Sequence, residues 1–308
     1  MGSYLITGGC GFIGSHIAEE LAGDPGNEIL VYDDLSSGYL KNIEHLGGRV
    51  RIIQADVRDL EALERALKGV DYVFHGAALV SVFDSVDRPF DNHSINLTGT
   101  LNVLEAAAKA DVQRVVIASS AAVYGNDPAL PKVETMLPVP ESPYGLAKIA
   151  KEHYAAVYSK LYDLPVVCLR NFNVFGPRQD PGSPYSGAIS VFVDRVLKGV
   201  APTIFGDGEQ TRDFVFVKDV VKANLLAMHS ADLVGGEVFN IAGGRGCSLL
   251  ELLETLNGVA GTRIRPEFAP ERPGDVRHSV ADITRARTVL GYEPSHTLGE
   301  GLRKLLNG

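Results

Sequence analysis

The sequence lacks the features that mark nucleic-acid-binding, membrane and secreted proteins. Its 308 residues carry a net charge of −9 without a basic run, which argues against nucleic acid or an anionic membrane as the main partner. No stretch approaches the ~20 apolar residues of a membrane span. No secretory signal precedes the first apolar segment, which starts at residue 3, so we expect a cytoplasmic protein.

Cysteine is scarce, and tryptophan is absent. The three cysteines, Cys10, Cys168 and Cys247, are an odd number without the spacing of a metal site or a disulfide framework. We therefore expect no bound metal ion and a reducing compartment. Cys10 and Cys168 occur among apolar residues or glycines, which predicts small buried side chains. The absence of tryptophan excludes no function.

Alternating strands and helices are predicted along the first half of the chain. Hydrophobic residues make up 45% of the sequence and charged residues 22%, as in an ordinary globular enzyme. Short Val- and Ile-rich runs alternate with helical patterns, which is typical of a parallel sheet covered on both faces. The predicted strands are 3–7, 28–33, 50–55, 72–76, 114–119 and 164–172 (LPVVCLRNF). The predicted helices are 12–22, 59–68, 89–109 and 144–161.

The pattern changes after residue 175, where the Gly- and Pro-rich segment GPRQDPGSPYSG predicts a loop. Short strands at 202–205, 213–217 and 238–242 then mix with helices. We predict an α/β protein with a Rossmann-type doubly wound parallel sheet and a smaller, partly interleaved α+β C-terminal domain. Residues 1–173, with returning segments near 213–242, would form the cofactor-binding domain, and residues 174–308 would form most of the substrate-binding domain.

Three glycines, Gly8, Gly11 and Gly14, are spaced three residues apart between the first predicted strand and helix. In such a turn the first glycine permits a sharp bend, the second lets the backbone approach a pyrophosphate, and the third lets helix and strand pack closely. The helix N-terminus, here at Phe12 and Ile13, offers N–H groups and a partial positive charge to phosphate. Turns use glycine freely, but the strand–turn–helix context predicts a dinucleotide site.

Acidic residues at two strand ends indicate which dinucleotide binds. Asp33 ends the second strand in LVYDDLSSG, where an acid about 20 residues beyond the glycines accepts hydrogen bonds from the adenosine ribose and repels a 2′-phosphate. We therefore predict NAD rather than NADP. Asp34 could be a further contact or a plain loop carboxylate, and Asp56 could contact adenine or act as a helix N-cap. The remaining candidates near these acids are Ser36, Ser37, Gly38 and Val57.

Tyr144 and Lys148 are four residues apart, so they share one face of a predicted helix. A tyrosine, with a reference pKa of roughly 10, is a poor base at pH 7, but a neighbouring ammonium favours the phenolate. An exposed lysine on an amphipathic helix would give the same spacing. Ser119 and Ser120 end the fifth strand, and ligands of open parallel sheets bind beyond the strand C-termini. The ordered set of glycines, acid, serine, tyrosine and lysine therefore favours a catalytic site.

Together these motifs resemble the extended short-chain dehydrogenase/reductases, and within them the NAD-dependent sugar-nucleotide epimerase/dehydratase family, from residue 3 to about residue 305. TGGCGFIGSH resembles the family's cofactor turn, and HGAAL, which contains Ala77 and Ala78, resembles a segment that lines the cofactor. SSAAVYG resembles the segment of the catalytic serine, by position Ser120. SPYGLAK carries the base and its lysine partner, and LRNFNVFGPRQDP places Asn173 at a substrate contact.

The second half matches the same family. SGAISVFVDRVLKG resembles a segment that packs on the nucleotide base, with Gly187, Ala188 and Ile189 at its start. GDGEQTRDFVFVKDV places Arg212 at a diphosphate-binding position, as ERPGDVRHSVAD does for Arg272, and arginine forks suit phosphate oxygens. The resemblance also places Asp275 at the uridine ribose and Ser279 at a position that controls the size of the sugar pocket.

The resemblance implies UDP-hexose 4-epimerisation, closest to that of the UDP-glucose 4-epimerases, with NAD bound to domain 1–173. Tyr144 would take the proton of the sugar 4-hydroxyl while a hydride passes from C4 to NAD, and its return to the opposite face would invert C4. Family members restricted to plain hexoses typically have a bulky tyrosine where this chain has Ser279, so N-acetyl-hexosamine counterparts should also fit. Alternatively, Ser279 lies on a strand of the C-terminal domain without approaching the sugar. A homodimer that pairs helices 89–109 and 144–161 is expected.

Three alternatives remain at this point. A 4,6-dehydratase would usually carry Asp-Glu after the strand-end serine or threonine, where this chain has Ala121 and Ala122, and alanine cannot act as a general acid or base. A UDP-glucuronate decarboxylase or a reductase has less support. A non-catalytic NAD-binding regulator would have lost Tyr144 or Lys148, and both are present.

Overall fold

The computed structural model describes residues 1–180, 188–271 and 276–307. Strands occur in each of these three ranges. In chain order the described strands are β1 (Ser3–Thr7), β2 (Glu28–Asp33), β3 (Arg51–Gln54), β4 (Tyr72–His75), β5 (Arg114–Ser120), β6 (Val166–Asn171), β7 (Asn173–Phe175), β8 (Thr203–Phe205), β9 (Thr211–Phe216), β10 (Val238–Ile241), β11 (Gly246–Ser248), β12 (Glu267–Ala269) and β13 (His278–Ser279). Each strand predicted from the sequence is present within two residues of its expected bounds.

Helices connect most of these strands. They are α1 (Phe12–Ala22), α2 (Leu60–Ala66), α3 (Val82–Asp87), α4 (Pro89–Asn92), α5 (Gly99–Lys109), α6 (Pro143–Leu161), α7 (Ala188–Leu197), α8 (Val217–His229), α9 (Leu249–Ala260), α10 (Thr284–Leu290) and α11 (Leu298–Asn307). Local chemistry sets their starts: the Ser142 hydroxyl accepts a hydrogen bond from the Gly145 N–H at the start of α6, and Pro143 occupies its first turn.

A seven-stranded parallel sheet forms the centre of the fold. Its order is β3-β2-β1-β4-β5-β6-β10, with each pairing parallel. From β1 the chain first adds β2 and β3 on one side and then β4, β5 and β6 on the other. The switch point of this doubly wound sheet therefore lies between β1 and β4. The predicted Rossmann-type α/β fold is therefore confirmed.

Both faces of this sheet are buried. Along β1 the side chains of Tyr4 and Ile6 enter one apolar cluster, with residues of α1, α8 and α10. Leu5 enters the cluster on the opposite face, with residues of α2, α5 and α6. Strand side chains alternate between faces, so a strand buried on both sides must be apolar at successive positions. This explains the continuous Val and Ile runs in the sequence.

Two smaller sheets follow the loop after β7. In one of them β9 is the hub, paired with β7 and β13 in parallel and with β11 in antiparallel fashion. The other pairs β8 with β12. A third apolar cluster, to which α7, α9 and α11 contribute, covers this region. Because β10 belongs to the main sheet, we keep the division at residue 173, with returning segments, as a proposal.

The single helix predicted for 89–109 is wrong in detail. The segment consists of α4, a π-helical turn over His93–Thr98, and α5. The wider turn contains the buried Asn96, whose side chain accepts a hydrogen bond from the Leu79 N–H and donates to the Leu79 carbonyl, both at 2.9 Å. Such π-helical turns often occur at functional sites. Hydrophobic periodicity does not report an insertion of this kind.

Candidate active site

A cavity of about 1320 Å³ runs along the carboxyl ends of the central strands. Its walls include the glycine turn, the ends of β2, β4 and β5, the start of α6, and parts of β7, β9 and β13. This volume exceeds the ~300–1,000 Å³ of a typical small-molecule pocket. It is large enough for a dinucleotide together with a second ligand.

The glycine turn is shaped by close backbone contacts. Gly8 has φ +70°, and a Cβ atom there would lie 2.8 Å from the Ala77 nitrogen. A Cβ at Gly14 would lie 2.3 Å from the Gly8 carbonyl oxygen, and Gly11 is the N-cap of α1 without a side-chain cap. Gly8 and Gly14 therefore leave no space for a side chain, whereas a Cβ at Gly11 would meet the Gly8 carbonyl oxygen at 3.1 Å. The first turn of α1, with Phe12 and Ile13, faces the cavity. The turn therefore fits a pyrophosphate against a helix N-terminus.

Asp33 is fixed at the end of β2. Its side chain is 6% exposed, one carboxylate oxygen accepts from the Cys10 N–H and the other from the Leu35 N–H, both at 2.9 Å. Burial raises the pKa of Asp33, while these two hydrogen bonds act in the opposite direction. A carboxylate anchored beside the glycine turn would disfavour a 2′-phosphate.

The loop after Asp33 lines the same end of the cavity. The Asp34 carboxylate accepts from the Ser36 N–H and hydroxyl, at 2.9 and 2.6 Å. A Cβ at Gly38 would lie 3.0 Å from the Asp33 carboxylate oxygens. Ser37 also lines the cavity. The predicted loop residues are therefore brought together around Asp33.

Asp56 and Val57 line the cavity beyond β3. The Asp56 carboxylate pairs with Arg58, whose Nε lies 2.9 Å away, and this bond lowers the pKa of Asp56. The alternative interpretation of Asp56 as a helix N-cap is wrong, because the side chain that accepts from the Ala62 N–H at the start of α2 is Asp59. Both acids precede the helix, and sequence alone did not distinguish them.

Ala77 and Ala78 follow β4 and also line the cavity. Beneath them lies the buried His75, whose ring nitrogens are each 2.8 Å from a threonine hydroxyl, those of Thr7 and Thr100. Burial lowers the pKa of His75 well below its usual value. The histidine is therefore a neutral structural group that joins β1, β4 and α5.

The two serines at the end of β5 have different surroundings. The hydroxyl of the buried Ser119 donates to Glu152, which forms a buried ion pair with Arg170 at 2.7 Å. The Ser120 hydroxyl, which accepts from the Ala122 N–H at 3.2 Å, is partly exposed. Both residues line the cavity, but the side chain of Ser119 is engaged on its buried side.

Tyr144 and Lys148 lie on α6 and line the cavity together. The Lys148 ammonium is 5.4 Å from the centroid of the Tyr144 ring and donates to the Ala118 carbonyl at 2.7 Å. Tyr144 is only 9% exposed, and its backbone N–H donates to the Ser85 hydroxyl on α3. The tyrosine and lysine therefore occupy fixed positions in the cavity that Ser120 also lines, as a base and a neighbouring cation would require.

The second half of the chain closes the opposite side of the cavity. Asn173, Arg212 and Ser279, on β7, β9 and β13, line it. Arg212 pairs in register with Ser279, and Asn173 Nδ2 donates to the Asp213 carbonyl at 3.3 Å. By contrast, the Ile189 side chain is 2% exposed within the apolar cluster at α7, and its neighbour Ala188 packs against that cluster. Gly187, Arg272 and Asp275 lie outside the described residues.

A group of contacts that the sequence did not predict joins the two sides. The Tyr39 hydroxyl donates to Asp180 at 3.0 Å, and Arg178, in a left-handed conformation with φ +68°, pairs with Glu19 on α1 at 3.1 Å. Burial alone would raise the pKa of Glu19, but Lys218 and Arg178 lower it to about 2. The left-handed conformation of Arg178 is rare for a non-glycine residue, but it is seen only in the structure. The sequence therefore contains no sign of these contacts.

Among the described residues, no group of three or more His, Cys, Asp or Glu side chains could hold a metal ion. No described helix is both long and apolar enough to cross a membrane.

Comparison with known proteins agrees with this geometry. Residues 4–242 match the model of the NAD-dependent epimerase/dehydratase family. A UDP-glucose 4-epimerase from Mycolicibacterium smegmatis is 42% identical over 97% of this chain and 96% of its own length. A UDP-N-acetylglucosamine 4-epimerase from Methanobrevibacter ruminantium M1, solved with UDP-N-acetylmuramic acid, is 39% identical with a TM-score of 0.95, covering 99% of this chain and 97% of that one.

A UDP-glucose 4-epimerase from Thermotoga maritima, solved with UDP-glucose, is 40% identical with a TM-score of 0.93. The match covers 99% of this chain and 97% of that one. Family model and full-length relatives agree with the resemblance drawn from the motifs and with an NAD cofactor. The chain therefore belongs to the NAD-dependent epimerase/dehydratase family.

Proposed function

We propose that this protein is a UDP-hexose 4-epimerase that interconverts UDP-glucose and UDP-galactose and accepts their N-acetyl-hexosamine counterparts. The observation that carries the proposal is that Tyr144, Lys148 and Ser120 line the same cavity as the glycine turn and Asp33. A base beside a dinucleotide site suits oxidation and reduction of a hydroxyl carbon. The relatives named as epimerases of UDP-glucose and UDP-N-acetylglucosamine support the choice of substrate.

The residues assigned to NAD fit that cofactor. At Gly8 and Gly14 a Cβ would clash with neighbouring backbone, so these glycines permit the tight turn that would hold the pyrophosphate. The start of α1 would supply N–H groups, and Asp33 would bind the adenosine ribose and disfavour NADP. Bound NAD supplies the oxidation and re-reduction of sugar C4 by accepting and returning a hydride. Asp34, Ser36, Ser37, Gly38, Asp56, Val57, Ala77, Ala78 and the Ser119 backbone complete the proposed cofactor side.

The chain's own groups move and stabilise the proton. Tyr144 takes the proton from the sugar 4-hydroxyl and later returns it, Lys148 stabilises the phenolate, and Ser120 donates a hydrogen bond to the reacting oxygen. After oxidation, the 4-keto sugar must turn within the site so that its other face is reduced. Tyr144 and Lys148 would stay in place on α6 while the sugar turns.

The nucleotide is assigned to the opposite wall. Arg212, and by resemblance Arg272, would bind the diphosphate, while Gly187, Ala188 and Ile189 would contact the uracil and Asp275 the ribose. Because the Ile189 side chain is buried in the apolar cluster, we assign its contact to the backbone at the start of α7. Asn173 and Ser279 would face the hexose.

Ala121 and Ala122 argue against a dehydratase, since both line the cavity after Ser120 and neither can exchange a proton.

The proposed function is tested by conversion of UDP-galactose to UDP-glucose by the purified protein without added reductant. Formation of UDP-glucose is expected. A 4-keto-6-deoxy product, or NAD binding without turnover of any UDP-sugar, would contradict the proposal.

A homodimer and a cytoplasmic location complete the proposal. Apolar side chains of Phe90 on α4 and Val157 and Leu161 on α6 are exposed, Phe90 by 88%, as expected if these helices meet a second copy. All three cysteines are free and buried, which is consistent with a reducing compartment.

A further inference from the structure

A buried carboxylate on β9 lies next to the proposed substrate contacts without lining the cavity itself. Asp213 follows Arg212 in the chain and is fully buried, with 0% exposure. Its side chain is not among the described residues that face the cavity. Any effect of Asp213 on the substrate must therefore act through neighbouring residues.

The carboxylate joins two segments that are distant in sequence. Oδ1 accepts from the Gly243 and Gly244 N–H groups, at 2.8 and 3.2 Å, in the loop after β10. Oδ2 accepts from the Ala281 N–H at 3.2 Å, two residues beyond Ser279. Asp213 thus connects the main sheet to the segment that carries the proposed sugar-pocket residue.

The backbone of Asp213 completes the connection. Its carbonyl accepts from Asn173 Nδ2 at 3.3 Å. On one side of it in β9, Arg212 pairs with Ser279 of β13, and on the other, Phe214 pairs with Asn173 of β7. One residue therefore contacts or adjoins all the segments that carry Asn173, Arg212 and Ser279.

The chemistry at this position requires a carboxylate. Burial raises the pKa of Asp213 to about 6, although the backbone donors act against it, so the charged form is costly to keep here. A neutral asparagine would have the same shape, but it has one acceptor oxygen and a donor NH₂ group. The NH₂ group would then face a backbone N–H, either of Gly243 and Gly244 or of Ala281. Two donors would meet there and one hydrogen bond would be lost.

We propose that Asp213 is a positioning residue for nucleotide-sugar binding, which fixes the relative placement of Arg212, Ser279 and Asn173. The inference rests on the proposed function, which assigns those three residues to the substrate. Its effect should appear in affinity for the nucleotide rather than for NAD, because none of these segments belongs to the proposed cofactor side.

The chain offers a matched control. Asp219 on α8 is also a buried carboxylate, 1% exposed, and accepts from the N–H groups of Ser295 and His296, at 2.9 and 3.2 Å. Those residues lie outside the described cavity wall. Both Asp213→Asn and Asp219→Asn replace a buried carboxylate that accepts from backbone N–H groups, and Asp219 also accepts from the Ser295 hydroxyl at 2.6 Å. Only Asp213→Asn should affect the substrate.

The experiment is titration of the NAD-loaded protein with UDP, which binds without turnover. We expect Asp213→Asn to raise the Kd for UDP by about tenfold or more, as loss of a contact network in one wall would, with NAD affinity unchanged. Asp219→Asn should lose thermal stability but keep the wild-type Kd within about twofold. Equal UDP affinity in the two variants would overturn the role of Asp213. A wild-type protein that does not bind UDP would instead overturn the proposed function, and this inference with it.

A second measurement uses the wild-type protein and does not depend on a variant that folds. Amide hydrogen exchange is compared with and without UDP. The amides of Gly243, Gly244 and Ala281 should exchange more slowly when UDP is bound, while those of Ser295 and His296 should not change. Unchanged exchange at the first three amides would contradict the proposal.

Discussion

Replacing Tyr144 by phenylalanine tests the chemistry of the site most directly. The side chain is 9% exposed and lines the cavity, and phenylalanine keeps the ring while removing the phenolic oxygen. Lys148 retains its bond to the Ala118 carbonyl, so the ammonium should stay in place. The fold and NAD binding should therefore be preserved.

The magnitude follows from what a positioned base contributes. General acid–base catalysis is typically worth about 10²- to 10⁴-fold, and a loss of about 10³-fold in kcat corresponds to about 4 kcal/mol of activation free energy. Ser120→Ala removes a single polarising hydrogen bond and should cost less, about 0.5–1.5 kcal/mol. For both variants, kcat is measured from the conversion of UDP-galactose at saturating substrate.

Tyr158 provides a control on the same helix. It is 5% exposed, and its hydroxyl donates to Glu105 at 3.1 Å, away from the described cavity wall. Tyr158→Phe should cost about 1 kcal/mol of unfolding free energy and leave kcat unchanged. Activity of Tyr144→Phe within about tenfold of wild type, at an unchanged pH optimum, would refute the assignment of the base, because a lost base costs at least 10²-fold.

Two further predictions concern substrate size and acid stability. Ser279→Tyr should slow turnover of UDP-N-acetylglucosamine much more than that of UDP-galactose, because filling space penalises only the substrate that needs it; equal slowing of both substrates would contradict the pocket assignment. Burial lowers the pKa of His75 in the folded protein. Below pH ~6.5 the unfolded chain therefore takes up a proton that the folded protein does not, and the free energy of unfolding falls by about 1.4 kcal/mol per pH unit. Above pH ~6.5 this contribution to stability is fully present. Urea unfolding at pH 7.5 and 5.5 should show a smaller loss for His75→Asn than for wild type, and an equal loss in both would contradict the neutral histidine.

The cofactor side of the site was predictable because its constraints are local. Gly8 and Gly14 are required by contacts within the strand–turn–helix unit and its neighbouring strand. Asp33 and Ser120 follow from the rule that residues at the carboxyl ends of parallel strands meet at one edge. The helical sequence patterns predicted α1 and, within one residue of its observed bounds, α6.

The remaining features depend on contacts between distant segments. Asn96 interrupts a helix because it bonds Leu79, 17 residues earlier. Ser119 rather than Ser120 bonds Glu152, 33 residues later in the chain, because successive strand side chains point to opposite faces of the sheet. Composition and spacing do not show which of two adjacent serines meets such a distant partner.

The position of β9 explains how two sides of the site can serve different purposes. Ser120 is on β5 of the main sheet and Tyr144 is on α6, which packs against that strand, whereas Arg212 and Ser279 belong to the small sheet around β9. Asp213 connects the small sheet to the loop after β10 of the main sheet. The proposed rotation of the 4-keto sugar requires the nucleotide to stay bound while the hexose turns. The proposed nucleotide side, which is separate from the proposed catalytic side yet joined to it by the buried Asp213, would meet that requirement.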